Sequence, residues 1–373
     1  MTMGDKTIKT AVLGAGDAGR ALAAVVARAG CEVRLWNRTA ARLADFEALT
    51  LTLRDPDPHT VRLAAVSTDL AAVCSGADLV LVAVSAAAHR DLVTASWPAL
   101  RQAVAVVLVP GHTGGVLEVT AALRDRVGWC VTAPGPAVAE MVLPFVCRGE
   151  GSSTVRIFQY KKDVPLGARQ RRHADIARDL LVRSFPAVRS AGSIWESSLA
   201  NVTAVLQPVV ALANLARLDH GDRHRFYAEG ISAGVARIIE AADRERVLLG
   251  RAVGVQLPTA LEWFGQTYDC TASSLADTLR AVPGYRSILA PCGTDHRFLD
   301  EHVRTGTVPL AALAALVGTP HRQLDAIVTM ASAATGRELY RNGRTLHRMG
   351  IRSRTDIMAL AGSPASATEG AAR

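Results

Sequence analysis

Three glycines near the start of the chain follow a regular spacing. Residues 8–13, IKTAVL, predict a short strand, and Gly14-x-Gly16-x-x-Gly19 then leads into a helical pattern that ends at Gly30. In such a βαβ unit the first glycine allows a tight turn, the second lets the backbone approach a pyrophosphate, and the third lets helix and strand pack closely. The helix N-terminus adds N–H groups and the positive end of its dipole. The predicted phosphate-binding turn comprises Gly14, Ala15, Gly16, Asp17, Ala18 and Gly19.

The end of the second predicted strand, EVRLWNR (residues 32–38), indicates which dinucleotide binds. An NAD site usually places Asp or Glu there, to hold the ribose hydroxyls. This chain has Asn37, Arg38 and Thr39, with Arg42 one turn further on, so no carboxylate at this position repels a phosphate. Arg38 can pair with a 2′-phosphate, and Asn37 and Thr39 can hydrogen-bond to it. The pattern favours NADPH over NADH.

Strand and helix patterns continue to alternate along the first half of the chain. The predicted strands are nearly continuous runs of Val, Leu and Ala, such as residues 78–85 and 103–110. Such runs are typical of a parallel sheet that is covered on both faces. We therefore predict an N-terminal doubly wound α/β domain and interpret the proline-rich residues 54–60 as a loop.

Ligands of doubly wound sheets lie beyond the carboxyl ends of the strands. One predicted strand ends at Ser85, followed by Ala86 and His89, and another ends before His112, which is flanked by glycine. We expect Ser85 to line the cofactor site and His112 to contact the substrate.

Composition and charge exclude several classes of protein. The chain has 373 residues, which predicts two domains, and its net charge is +8. The chain contains no run of about eighteen uncharged apolar residues, so we predict no membrane span. Six cysteines are scattered without a C-x-x-C pair, and His220 and His224 lack a third ligand, so we predict no metal. The basic residues 161–189 lack interleaved aromatics, so we interpret them as a solvated helix face that binds no nucleic acid.

Both ends of the chain give further expectations. The N-terminal residues lack the layout of a signal peptide, which predicts a cytoplasmic protein with reduced thiols. Residues 361–373 are small, polar and without periodicity, which predicts a disordered tail.

Several ordered motifs resemble those of octopine/opine dehydrogenases. Residues 140–148, EMVLPFVCR, resemble the E-x-x-x-P-(Y/F)-x-C-R signature of that family, and residues 184–219 and 296–318 resemble segments of its helical domain. The resemblance covers about residues 8–350. It implies a Rossmann domain in residues 1–190, an all-helical substrate domain in residues 191–360, a cleft between them and a possible homodimer.

The resemblance also implies a reaction. Enzymes of this family join the amino group of an amino acid to the carbonyl of an α-keto acid and reduce the resulting imine with a nicotinamide cofactor. Their catalytic pair is a His before a Pro on the first long helix of the second domain and an Asp in a later segment. This chain has Gln207 before Pro208 and places His302 at the Asp position.

Three interpretations of this exchange are open. In the first, His302 is the acid/base and Gln207 orients it through a hydrogen bond. In the second, a preformed imine is reduced and needs only hydride and charge placement. In the third, catalysis is lost and a cofactor-binding protein remains. Reduction of a ketone to a hydroxy acid is a further alternative for an active enzyme.

A keto-acid carboxylate needs a fork of donors, which arginine supplies in bidentate form. By resemblance Arg297 is the first candidate, and Arg148 is the next unless it pairs with Glu140 between the domains. The resemblance also implies that Asn201 binds substrate and that Glu229 takes the ammonium end of an amino substrate.

Overall fold

The structure, a computed structural model, describes residues 7–46, 50–151, 153–270 and 272–361. The predicted tail therefore lies outside the described residues, apart from Ala361. The strands are β1 (Lys9–Leu13), β2 (Glu32–Trp36), β3 (Thr50–Asp55), β4 (Asp57–Arg62), β5 (Ala65–Ser67), β6 (Leu79–Val82), β7 (Ala105–Leu108), β8 (Ala137–Met141), β9 (Phe145–Gly149), β10 (Thr154–Tyr160), β11 (Val164–Ala168) and β12 (Val188–Ser190).

The helices alternate with the strands at first and then follow one another. They are α1 (Asp17–Arg28), α2 (Leu70–Cys74), α3 (His89–Ala95), α4 (Trp97–Leu100), α5 (Gly115–Val127), α6 (Arg171–Leu181), α7 (Ile194–Leu199), α8 (Thr203–Ala213), α9 (Leu215–Asp219), α10 (Ala233–Ala252), α11 (Ala260–Tyr268), α12 (Leu275–Ala281), α13 (Val308–Val317), α14 (Arg322–Thr335) and α15 (Arg354–Ala359). A π-helical turn, Val303–Thr307, precedes α13.

The large sheet has eight strands in the order β12-β11-β8-β7-β6-β1-β2-β5. Neighbouring strands are parallel except for β8 and β11, which are antiparallel. All residues of β6 and β7 are buried, as expected for strands covered on both faces. The predicted doubly wound Rossmann domain is confirmed, and so is the helical domain that follows it.

A second sheet of four strands, in the order β4-β3-β10-β9, was not predicted. The interpretation of residues 54–60 as a loop is wrong, because they belong to the antiparallel pair β3 and β4. Proline lacks an N–H group and is tolerated on an edge strand, where no further strand needs its donor. Pro58 lies on β4, which forms that edge and is largely exposed.

Two hydrophobic cores hold the chain together. One lies under the face of the large sheet that carries α1 and includes side chains of the small sheet, such as Leu51 and Leu53. The other is shared by the opposite face and the helical domain, since it contains Leu13 as well as Leu206 and Leu313. This packing is continuous across residue 190, so the predicted division of the chain there remains a proposal.

A search of the described residues for membrane spans finds no helix long and apolar enough to cross a bilayer. The same residues contain no group of three or more His, Cys, Asp or Glu side chains arranged to hold a metal ion.

Candidate active site

A cleft of about 1280 Å³ lies between the carboxyl ends of the central strands and the helical domain. Its wall contains residues of both parts of the chain, from Gly14 at one end to Trp263 at the other. The doubly wound topology places the first turn of α1 at this edge, which is where such sheets bind ligands.

The glycine turn is shaped for close approach of a ligand. Gly14 has a φ of +121°, and a Cβ there would lie 2.6 Å from the carbonyl oxygen of Ala83. A Cβ on Gly19 would lie 1.8 Å from the carbonyl oxygen of Gly14, so only glycine allows this packing. Gly16 faces open space at the N-terminus of α1, where backbone N–H groups can bind phosphate.

The other residues of the predicted turn divide between cleft and core. Asp17 and Ala18 line the cleft with Gly14 and Gly16. Ala15 is buried behind it, and its N–H donates to Asn37 Oδ1 at 3.2 Å. The sequence prediction for this turn therefore holds as a local structure, with four of its residues facing the cleft.

The predicted adenosine end also lies on the cleft. Asn37, Arg38, Thr39 and Arg42 line it, and the Asn37 amide donates to the Thr39 carbonyl at 3.1 Å. Arg38 and Thr39 are exposed, and within the described ranges neither arginine forms an ion pair. Two free guanidinium groups at this position fit a 2′-phosphate. Ser85 is exposed on the same cleft, at the end of the strand next to β1.

His112 lies where the sequence placed it, in the turn after β7. It is buried with a φ of +58°, and its Nδ1 is 2.7 Å from Thr305 Oγ1. The Thr305 hydroxyl has one hydrogen, which it donates in a hydrogen bond to the Glu301 carbonyl at 2.7 Å. It can therefore only accept the hydrogen bond with His112, so Nδ1 of His112 carries the N–H. The Nε2 atom of His112 therefore carries the lone pair. Burial, together with Arg344 and Arg297, lowers the pKa of His112 to about 3.

His302 lies beside His112, with 4.9 Å between the ring centroids. It is buried on the cleft, directly before the π-helical turn, a form of helix that is frequent at functional sites. Burial, and then the His112 imidazole and the Arg297 guanidinium, lower the pKa of His302 well below its usual value. His302 Nδ1 has no hydrogen-bond partner among the described residues. The site therefore holds two neutral imidazoles next to each other.

Gln207 lines the cleft from α8, but its partner differs from the prediction. Its Nε2 donates to the Tyr227 hydroxyl at 2.7 Å, and the described chain contains no hydrogen bond between Gln207 and His302. Gln207 Oε1 is buried without a partner in the same described set. The expectation that Gln207 orients His302 through a hydrogen bond is therefore corrected: Gln207 bonds to Tyr227, and His302 Nδ1 has no partner among the described residues.

Pro208 explains how α8 is fixed against the segment that carries His302. A proline inside a helix has no N–H for the carbonyl four residues before it, here that of Ala204. The Thr307 hydroxyl donates to this carbonyl at 2.6 Å from the π-helical turn. Gly306 allows the approach, since a Cβ there would lie 2.8 Å from the Ala204 Cβ. Pro208 thus leaves the Ala204 carbonyl free to accept from Thr307. This hydrogen bond joins α8, which bears Gln207, to the π-helical turn that follows His302.

The two predicted arginine anchors are exposed on the cleft. Arg297 and Arg148 line it, and neither forms an ion pair within the described ranges. Arg297 lies against the Phe298 ring, with 5.7 Å from its guanidinium carbon to the ring centroid. The alternative pairing of Arg148 with Glu140 is not formed, because the buried Glu140 carboxylate accepts from Val116 N at 2.7 Å and from the Ser198 hydroxyl. Both arginines remain free to bind a carboxylate.

Two protein families match the chain. Residues 190–335 match the family described as NAD/NADP octopine/nopaline dehydrogenase, alpha-helical domain. Residues 9–139 match the family described as NAD-dependent glycerol-3-phosphate dehydrogenase N-terminus. An opine dehydrogenase of Arthrobacter sp. (strain 1C) is 28% identical over 344 residues, covering 91% of this chain and 94% of that protein.

Residues 190–335 therefore form a helical domain of the octopine/nopaline dehydrogenase type. An octopine dehydrogenase solved with NADH and L-arginine has a TM-score of 0.74 at 20% identity, covering 95% of this chain and 98% of that one. Yersinopine dehydrogenase solved with NADP⁺ has a TM-score of 0.70 at 16% identity, covering 95% and 97%. These likenesses show a shared fold. The chain is an NAD(P)-dependent oxidoreductase of the class that acts on CH–NH groups.

Two predicted polar site residues differ in where the structure places them. Asn201 is buried on the cleft, and its Nδ2 is 3.4 Å from Thr113 Oγ1, so its substrate contact stays a prediction. Glu229 does not line the cleft, and the expectation that it takes the ammonium end of a substrate is corrected. Its carboxylate is exposed and pairs with Arg225 at 2.7 Å, because Tyr227, two residues earlier, faces inward.

Sequence reasoning missed Arg344, which holds the turn of His112 in place. Its guanidinium donates to the carbonyls of Gly111 at 3.0 Å and Thr113 at 2.9 Å, and it pairs with Glu118 at 2.8 Å. Arg344 is fully buried, and its stretch, NGRTLHRMG, carries no motif that signals such a role. Its charge also helps to keep His112 neutral.

Proposed function

We propose that this protein is an NADPH-dependent reductase that acts on the C=N bond of an imine formed from an amino acid and an α-keto acid, or of a preformed imine. One observation carries the proposal: two neutral imidazoles, His302 and His112, stand beside the unpaired Arg297 in a cleft that continues to the glycine turn. This combination offers a carboxylate anchor and proton acceptors at one place.

Support for NADPH comes from the first part of the cleft. The open space at Gly16 fits a pyrophosphate, and Arg38 and Arg42 fit a phosphate on the adenosine ribose. When bound, the reduced nicotinamide supplies the hydride. The residues of this chain supply the binding, the orientation and the handling of protons.

Arg297 is the residue we expect to hold the keto-acid carboxylate. Its guanidinium is free for a bidentate pair and lies next to both imidazoles, since its charge contributes to lowering the pKa of each. Holding the carboxylate fixes the adjacent carbonyl carbon against the amine, which removes much of the entropic cost of a bimolecular step.

His302 is the residue we expect to handle the proton. A neutral imidazole can take a proton from the amino acid's ammonium group, which frees the nitrogen lone pair for attack on the carbonyl. The amine nitrogen then forms a bond to the keto carbon. The keto oxygen takes one proton from this nitrogen and one back from His302 and leaves as water, so the iminium that results keeps one N–H. A ketone reductase would need a proton donor for the developing alkoxide, whereas an ammonium substrate brings its own proton to the reaction.

The test is NADPH oxidation, followed optically and by mass spectrometry of the product. Keto acids alone, keto acids with each amino acid, and a preformed cyclic imine acid would be compared. We expect a secondary amine as the product, from amino acid plus keto acid or from the preformed imine. Turnover of keto acid alone to a hydroxy acid would show a ketone reductase, and NADPH binding without any turnover would favour a cofactor-binding protein; either result contradicts the proposal.

His302→Ala tests the assigned role. We expect it to lower turnover by about a hundredfold or more, as loss of a general base does. The affinity for NADPH should stay within about twofold of the parent protein, because His302 lies in the part of the cleft that we assign to substrate. His220→Ala is the matched control, since His220 is exposed outside the cleft. An active His302→Ala variant would remove His302 from the mechanism.

The homodimer through the helical domain, which follows from the resemblance, and the cytoplasm as location remain proposals. Sedimentation of the purified protein with and without NADPH measures the oligomeric state, and fractionation of the source cells tests the location.

A further inference from the structure

Lys161 is a cation of the cleft that the proposed reaction does not use. It lies between β10 and β11, in the basic stretch that the sequence suggested to be a solvated face, and it is partly buried. Its Nζ lies 5.4 Å from the centroid of the Trp263 ring. Burial alone lowers the pKa of Lys161 to about 8, and no carboxylate of the described residues pairs with it.

The neighbouring Lys162 differs from Lys161 in its surroundings. Lys162 Nζ forms an ion pair with Asp269 at the surface, where both side chains are exposed. Lys161 turns the other way, and its backbone N–H is fixed to the Pro144 carbonyl at 2.9 Å. The backbone therefore holds one lysine outside the cleft and the other inside it.

An aromatic wall, defined as Tyr227, Trp263, Tyr268 and Tyr285, connects Lys161 with the proposed reaction centre. Tyr227 accepts from Gln207 and stacks on Tyr285 at 4.2 Å between centroids. Tyr285 lies 5.8 Å from Tyr268, which lies 5.8 Å from Trp263, the ring beneath Lys161. The α-carboxylate of an amino acid is only two bonds from its nitrogen and stays at the reaction centre, whereas its side chain extends away from that centre into the cleft that Lys161 also lines.

The carboxylates that line the cleft are already engaged. They are Asp17, Asp91 and Glu301. Asp17 pairs with Arg20 at 2.8 Å, and Asp91 pairs with Arg126 at 2.9 Å. Glu301 accepts from Ala86 N at 2.7 Å.

The part of the cleft that we assign to the substrate therefore carries a net positive charge. Lys161, Arg148 and Arg297 all line it, and none forms an ion pair with another described residue. A cationic side chain would meet unpaired cations there, whereas an anionic one would neutralise a partly buried ammonium group.

We propose that the amine substrate is an acidic amino acid, whose side-chain carboxylate lies along the aromatic wall and binds Lys161. This inference rests on the proposed function and names its substrate class. The nitrogen of the acidic amino acid replaces the keto oxygen, water is released, and NADPH provides the hydride, so the product is a secondary amine with three carboxylates. Lys161 is then the residue that selects the amine and has no part in the bond changes.

The kinetic test compares L-glutamate, L-glutamine and L-arginine at a fixed keto acid, in the parent protein, in Lys161→Met and in the matched control Lys162→Met. We expect glutamate to exceed glutamine in kcat/KM by about tenfold or more, chiefly through KM, as for a charge-assisted contact. Lys161→Met should remove that preference and leave glutamine within about twofold. Lys162→Met should change neither substrate. Equal use of glutamate and glutamine by the parent protein, or an equal loss of both in Lys161→Met, would overturn the proposal.

A binding experiment separates this inference from the proposed reaction. Calorimetric titration of the protein–NADPH complex would use N-(1-carboxyethyl)-L-glutamate and N-(1-carboxyethyl)-L-glutamine as probes. Tighter binding of the glutamate compound that depends on Lys161, without turnover of any amine, would support the subsite and refute the reaction. Turnover of amines without any preference for the glutamate compound would refute the subsite and support the reaction.

Discussion

Thr307→Val tests whether Pro208 frees the Ala204 carbonyl of α8 for a stabilising hydrogen bond from Thr307. Valine keeps the shape of threonine and removes only the hydroxyl, which donates to the Ala204 carbonyl at 2.6 Å. Ala204 and Thr307 are both fully buried, so water does not replace the lost donor. Pro208 offers no N–H to this carbonyl either.

The expected loss follows from leaving a buried acceptor unpaired. Such a group costs about 1–3 kcal/mol, so Thr307→Val should lower the free energy of unfolding by about 2 kcal/mol. In a chain of this size the melting temperature should fall by about 2–3 °C. Turnover should also fall, because the hydrogen bond joins the helix of Gln207 to the turn that follows His302.

Pro208→Ala makes the argument specific. Alanine restores an N–H that can donate to the Ala204 carbonyl within α8, so the carbonyl keeps a partner when Thr307 is changed. Thr307→Val should then cost less than about 1 kcal/mol in the Pro208→Ala background, which gives a coupling energy of about 1 kcal/mol. Thermal unfolding of the four proteins, followed by circular dichroism, measures this cycle.

Thr335→Val is the matched control. Like Thr307, Thr335 donates its hydroxyl hydrogen to a backbone carbonyl, here that of Ala331 at 2.7 Å. The Ala331 carbonyl, however, lies inside a regular helix, where a backbone N–H also donates to it. The control should cost a few tenths of a kcal/mol. An equal loss for Thr307→Val and Thr335→Val, or an equal loss in both backgrounds at Pro208, would refute the account of the opened carbonyl.

Two further predictions concern the cofactor and pH. Arg38→Ser should raise KM for NADPH by about ten- to a hundredfold, the value of a charge-assisted hydrogen bond, and leave KM for NADH nearly unchanged; equal changes for both cofactors would contradict the assignment. Burial raises the pKa of Glu140 from 4.5 to about 7, so the stability that this group contributes is present below about pH 4.5 and is lost as the pH rises through 7. Relative to Glu140→Gln, the parent protein should lose up to about 3 kcal/mol of unfolding free energy over that range; a difference that does not vary with pH would contradict it.

The local features of the nucleotide domain were readable from the sequence. Glycine spacing, runs of buried apolar residues and the position of Pro208 act within a few residues, through backbone sterics and missing donors. The glycine turn and the Rossmann strands therefore appeared where expected.

The partners across the cleft were not readable in this way. Gln207 bonds to Tyr227 and not to His302, Glu229 faces solvent, and Lys161 enters the cleft beside a lysine that does not. Each outcome depends on how segments far apart in the sequence pack, since a shift of one or two residues turns a side chain from cleft to surface.

The sequence by itself determined the two-part fold and the dinucleotide turn, and it named Gln207, His302 and His112 as candidate site residues. Only the tertiary structure decided which of these groups meet: it set the two imidazoles side by side, gave Thr307 the carbonyl that Pro208 opened, and left Lys161 unpaired on an aromatic wall. The physical reason is that propensities and glycine or proline constraints are local, whereas burial, charge pairing and the neutral state of His112 and His302 arise from contacts between distant parts of the chain.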